Sequence, residues 1–181
     1  IHMTQLTKDE IDLIAKRGCS IAHCPESNMK LASGFAPIKQ LMDSGVNVAL
    51  GTDSAASNND LDMFSELRSA ALLTKGVSGD ATALPAWQAI RVATINGAKA
   101  LGIEQTTGSI EIGKSADLIT VDMGELEQAP IYDPLSHLVY ASGRHQVSDS
   151  WVHGEQLMKK RKTLKLNLEE LKRSIEQFLN R

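Results

Sequence analysis

The chain has 181 residues, with 19 lysines and arginines against 22 aspartates and glutamates, a formal net charge of −3, and 42% hydrophobic residues. That is enough apolar material for one domain or slightly more, and the near-neutral balance, with no basic face, excludes a nucleic-acid backbone as the main partner. No run reaches the length of a membrane span and no charged-then-apolar leader is visible, while Cys19 and Cys24, lacking CxxC spacing, read as buried thiols of a reducing, cytoplasmic compartment.

Thr7 to Lys16 reads as a helix: Thr7 and Glu10 make a capping box, Ile11, Leu13, Ile14 and Ala15 give an apolar face, and Gly18 ends it. Ser20 to His23 is a short strand broken by Cys24-Pro25, and Glu26 to Gly34 reads as a polar loop. Pro37 to Asp43 is a helix closed by Gly45. Val46, Val48, Ala49 and Leu50 then form a buried strand, Gly51 and Thr52 turn the chain, and Asp53 stands where the strand ends. Asp60 to Lys75 is a longer helix capped by Asp60 or Asn59. This alternation is that of a parallel α/β fold, with two clear strands.

Thr82 to Leu101 is helical with a break, starting at Leu84-Pro85, and Gly102 closes it. After Gly102 the pattern changes to short strands and turns. Leu118 to Val121, Gln146-Val147, Trp151-Val152 and Gln156 to Met158 are strand-like, with a hairpin turn at His153-Gly154-Glu155. Lys159 to Lys162 reads as a solvated basic hinge, and Leu168 to Leu179 as a helix capped by Asn167 with Glu170. Its stripe of Leu168, Leu171, Ile175, Phe178 and Leu179 suits docking on the chain's own barrel or on a sister subunit.

Side chains at the carboxyl ends of parallel strands face the functional side of an α/β fold. Asp53 is therefore either a turn residue or a carboxylate placed to hold a metal or take a proton. His2, if it ends a strand, stands on the same rim and pairs with Asp53 in acid/base or metal chemistry. His23 either lines the site or is a packed histidine, and Ser27, Asn28 and Lys30 suit substrate contact from a loop. His137, His145 and His153 lack metal-ligand spacing and read as structural or exposed.

His2 with Leu6-Thr7, HCPESNMKLASG at 23–34, GTDSAASNN at 51–59, ATINGAKALG at 93–102, GSIEIGKSADLITVD at 108–122 and DPLSHLVYA at 133–141 follow one another as in the amidohydrolase superfamily. The series most resembles the 5-methylthioadenosine/S-adenosylhomocysteine deaminases, with guanine deaminases and chlorotriazine hydrolases as relatives. The resemblance implies the C-terminal part of a (β/α)8 TIM-like barrel over residues 1–104, strands six to eight, then a β-sandwich portion over 105–165 and a C-terminal helix over 166–181.

It further implies hydrolytic deamination of an adenine-type nucleoside by a zinc-activated water. Asp53 matches the family's aspartate that ligates the metal and contacts the attacking water and substrate, and His2 matches a histidine that flanks that water. The implied site residues are then His2 and Asp53 as catalytic groups, Asp53, Ser27 and Asn28 toward the substrate, and Asp53 toward the metal. Ser54 stands where many relatives carry glycine. The family's His-x-His pair, its middle-strand histidine and its proton-shuttling glutamate have no counterpart in these 181 residues. The expectation is accordingly that the chain alone binds zinc poorly and is inactive, and that its open strand edges favour a homo-oligomer, with a nucleoside as the small-molecule partner and neither nucleic acid nor membrane. The alternatives are another amidohydrolase, of guanine deaminase or chlorotriazine hydrolase type, or a catalytically inert fragment.

Overall fold

The computed structural model describes residues 1–180. Helix α1 (Lys8–Lys16) opens on the capping box: the Thr7 N–H donates to Glu10 Oε2 at 2.7 Å while the Thr7 hydroxyl accepts from the Glu10 N–H. Two N–H groups that the first helical turn leaves unpaired are thus satisfied locally. Strand β1 (Ser20–His23) pairs in parallel with β2 (Asn47–Leu50), in a register that sets His23 beside Leu50. Between them run α2 (Pro25–Lys30) and α3 (Ile38–Asp43). Residues 1–3 form no strand, but the His2 N–H donates to the Ala22 carbonyl at 3.0 Å, which lays the N-terminal segment against β1.

Helix α2 replaces the expected polar loop. Pro25 sits in its first turn, where its fixed φ suits a helix and its missing N–H costs nothing. Helix α4 (Met63–Ser78) starts three residues later than expected, capped by the Asp62 side chain on the Phe64 N–H rather than by Asp60 or Asn59. Helices α5 (Ala86–Ala93) and α6 (Ile95–Leu101) are divided at Thr94. The core lies between β1–β2 and the helices around it, centred on Ile21, Leu41, Val48, Ala71 and Val92.

The second layer is a single antiparallel sheet in the order β3 (Leu118–Val121), β4 (Val147–Val152), β5 (Glu155–Lys159), β6 (Lys162–Thr163). Among the described residues no other antiparallel sheet faces it. The basic run is not a hinge: Lys160 and Arg161 form the tight β5–β6 turn, both with positive φ, and Arg161 Nη1 donates to the Arg144 and Val147 carbonyls.

Between β3 and β4 the chain returns to the core as α7 (Pro134–Tyr140), a helix the strand-and-turn pattern did not predict, which Asp133 caps and whose Val139 is fully buried. Arg68 of α4 donates to the Ser142 carbonyl at 2.7 Å and Arg144 to the Asp60 carbonyl at 2.7 Å, tying the two layers. Helix α8 (Leu168–Leu179) forms with Asn167 as its cap, but its apolar stripe is exposed instead of docked on the chain. No described helix is long and apolar enough to cross a membrane.

Candidate active site

The carboxyl ends of β1 and β2 bring His2, His23, α2 and Asp53 to one side of the molecule. Asp53 has φ +64, in the left-handed region that a non-glycine residue rarely adopts. The turn holds it there and aims the carboxylate at α2. Its Oδ2 accepts the Ser27 hydroxyl at 2.7 Å and the Ser57 hydroxyl at 2.7 Å. Those hydroxyls, with the Ser54 N–H, keep the Asp53 carboxyl below the ordinary carboxylate range, so it is ionised at neutral pH.

His2 is 3.8 Å from Asp53, measured from its Nε2 to Oδ2. Its Nδ1 lies 2.8 Å from Asn28 Oδ1, which can only accept, so Nδ1 carries the proton. That leaves Nε2 turned to Asp53, as a lone pair in the neutral ring or as an N–H in the charged one. An ionised carboxylate and an imidazole so disposed can share a proton, orient a water, or contribute to a cation's shell.

Ser27 and Asn28, expected toward the substrate, are both buried, and their oxygens face Asp53 and His2. Lys30, also expected at substrate, donates to the Ala56 carbonyl at 2.9 Å and to Asn59 Oδ1 at 2.6 Å, pinning the loop that follows Asp53. His23 is 2% exposed, and neither ring nitrogen has a hydrogen-bond partner among the described residues. Burial lowers its pKa to about 4, with the nearby His2 adding to the effect. Cys24 is buried and its thiol is pushed up to about 11, chiefly by burial, which leaves it inert as a nucleophile. Cys19 is exposed, against the expectation of two buried thiols.

His137 bonds to Gln128 at 2.7 Å and His153 to Ser115 at 3.0 Å, both away from this rim. Ser57 was visible in the sequence only as one of several small residues after Asp53; its four-residue spacing was the available signal. Glu66, buried beneath the site on α4, carried no signal, since one acidic residue in a helix reads as its solvent face.

The fit to a divalent metal is partial. Asp53 is ionised, its side chain is 30% exposed at the strand ends, and it suits one coordination position. A zinc centre needs three or four protein ligands, and among the described residues no three His, Cys, Asp or Glu side chains converge to supply them.

The sequence model of the amidohydrolase family matches residues 1–157. A 5-methylthioadenosine/S-adenosylhomocysteine deaminase of Teredinibacter turnerae is 54% identical over 171 residues, covering 94% of this chain and 39% of that protein. A solved structure of an adenosine deaminase from Xanthomonas campestris with bound zinc superposes with a TM-score of 0.96 at 52% identity, over 99% of this chain and 41% of that one. The atrazine chlorohydrolase of Arthrobacter aurescens, solved with zinc, gives 0.91 at 26% identity over 97% of this chain and 39% of that one. The chain thus spans about two fifths of the length of these relatives. With a family match over most of its length, and a TM-score of 0.96 to a zinc-bound deaminase, the chain belongs to the amidohydrolase family.

Proposed function

We propose that these residues form part of a metal-dependent deaminase that hydrolyses an adenine-type nucleoside of the 5-methylthioadenosine/S-adenosylhomocysteine class. Residues 1–104 would be the C-terminal part of a (β/α)8 TIM-like barrel, 105–165 a portion of a β-sandwich and 166–181 a C-terminal helix. The observation that carries the reading is the Asp53–His2 pair, 3.8 Å apart at the strand ends, in a chain that is 54% identical to a named deaminase.

The overall chemistry adds water at the ring carbon bearing the exocyclic amine and expels that amine as ammonia. Asp53 would serve as one metal ligand, with the others contributed by residues outside this chain; a bound zinc lowers the pKa of its water to about 7. Asp53, ionised by its two serine donors, accepts a hydrogen bond or the proton from the attacking water and orients it toward the ring. His2, with Nδ1 anchored on Asn28, turns Nε2 toward the same water and, in its charged form, donates to the oxygen of the tetrahedral adduct. Ser27 and Asn28 act by holding these two groups.

The test is an ammonia-release assay on the complete protein with methylthioadenosine, adenosylhomocysteine, adenosine and guanine, beside Asp53→Asn and zinc analysis. Turnover of the adenine nucleosides, lost by about a hundredfold or more in Asp53→Asn, is expected. Preference for guanine, or full activity in Asp53→Asn, would refute the reading. The 181 residues alone are expected to hold well under one zinc per chain and to show no turnover; one zinc per chain with turnover would overturn the need for outside ligands.

A further inference from the structure

The serines that hold Asp53 come from different elements. Ser27 is on α2, and Ser57 is on the loop after β2. At the surface Lys30 of α2 ties these two elements together through Ala56 and Asn59; in the interior the group that joins them is Glu66 of α4. Its side chain is fully buried; Oε1 accepts the Asn58 Nδ2 amide at 2.5 Å and Oε2 accepts the Glu26 N–H at 3.3 Å. Asn58 directly follows Ser57, and Glu26 directly precedes Ser27. The contacts therefore close a ring: from Asp53 through Ser57 and Asn58 to Glu66, and back through Glu26 and Ser27 to Asp53.

The orientation of Asn58 is fixed independently. Its Oδ1 accepts the Leu61 N–H at 3.1 Å, so Nδ2 is the atom left to face Glu66. The Glu26 carboxylate is taken up by the Ser65 and Ser69 hydroxyls of α4, which binds α2 to the same helix a second time. Both partners of Glu66 are donors. Only a group with two acceptor oxygens answers both: a glutamine would set an NH2 against one of them, and an aliphatic side chain would leave both donors unpaired in the interior.

We propose that Glu66 is a positioning residue for Asp53, a buried carboxylate whose two oxygens fix the spacing of Ser27 and Ser57. The chemical part of this assignment rests on the role given to Asp53 above. Burial raises the Glu66 pKa to about 7, with Glu26 and Asp60 adding repulsion. The ionised form, whose two oxygens answer both donors, therefore prevails above pH 7, and the variants are compared there.

The test uses the complete protein with Glu66→Gln, Asn58→Ala, and the paired exchange Asn58→Asp with Glu66→Gln, which puts donor against acceptor the other way round at unchanged net charge. Amide hydrogen exchange is followed at Ser57 and Asn58, both bonded to the Ser54 carbonyl, and at Asn28, bonded to the Cys24 carbonyl. Glu66→Gln is expected to accelerate these amides about tenfold, to leave the β1–β2 amides unchanged, and to be restored by the paired exchange. In the deaminase assay the same variant is expected to lower kcat about tenfold with KM little changed, again restored by the pair.

Uniform acceleration across the fold, or a paired variant no better than Glu66→Gln, would mean that Glu66 serves only general stability and would overturn the proposal. Should Glu66→Gln fail to fold, Asn58→Ala opens one arm of the ring and must still accelerate Ser57. An unchanged Ser57 amide there refutes the ring. A wild-type protein without deaminase turnover refutes the role of Asp53, while the exchange rates still decide the ring.

Discussion

His23 and Glu66 are two buried groups whose protonation pulls stability in opposite directions. In the folded chain His23 titrates at about 4 because burial disfavours its charged form, against an unperturbed 6.5 when unfolded. The unfolded state therefore binds a proton that the folded state refuses, and acidification from pH 6.5 to 4 removes about 3 kcal/mol of stability. Glu66 titrates at about 7 when folded and 4.5 when unfolded, again chiefly through burial. Its folded form holds the extra proton, so its contribution is complete below pH 4.5 and is lost, also to the extent of about 3 kcal/mol, as pH rises through 7.

Between pH 5 and 6 each group supplies a slope of about 1 kcal/mol per pH unit, of opposite sign, and in the wild-type protein these largely cancel. His23→Leu and Glu66→Gln separate them. Urea unfolding at pH steps from 4 to 7.5 gives the stability of each variant relative to wild type, a difference from which unchanged carboxylates such as Asp80 and Asp149 drop out. His23→Leu should gain about 3 kcal/mol on the wild type between pH 7 and 4, and Glu66→Gln should lose a similar amount over the same interval. Differences that stay constant with pH would refute the assignment of buried titration to these two residues.

Leu41 is completely buried in the core between β1–β2 and the helices, so Leu41→Ala should cost about 2–5 kcal/mol in the urea midpoint at unchanged m-value. Gly108 has φ +94, and a Cβ there would lie 2.7 Å from Ala98 Cβ and 3.0 Å from Ile95 Cα. Gly108→Ala should therefore lower stability by about 1–3 kcal/mol and show as a lower Tm; an unchanged Tm would mean that α6 yields to the added methyl.

The elements legible in the sequence are those whose signals are local. The Thr7–Glu10 capping box, the short apolar runs of β1 and β2, the Leu118–Val121 strand and the Asn167 cap each carry their cause within a few residues. Helix α2 was illegible because PESNMK has a loop's composition; the reason it is ordered lies 26 residues away, in His2 and Asp53. Helix α7 did carry a signal, Asp133 followed by Pro134, but the surrounding strands and turns obscured it. At the site, Asp53 stood out because a strand ended at it and His2 because family order placed it there. Glu66 and its ring could not be found, since nothing short of the folded chain sets α4 beneath both serine-bearing segments.

Helix α2 spends three consecutive residues on three different targets: the Glu26 N–H on Glu66, the Ser27 hydroxyl on Asp53, and the Asn28 side-chain Oδ1 on His2. Successive side chains of a helix diverge by about 100°, which fans Ser27 and Asn28 out to different targets, while the Glu26 N–H, left free in the first turn, reaches the third. The same geometry makes its length indivisible. Inserting or deleting one residue between Pro25 and Ser27 would turn every later side chain by that angle and break the contacts of Ser27 and Asn28 together. Nearby, exposed Met29 and Leu31 could change chemical character without moving the fan. Divergence in this stretch should therefore run through substitution, while gaps collect elsewhere.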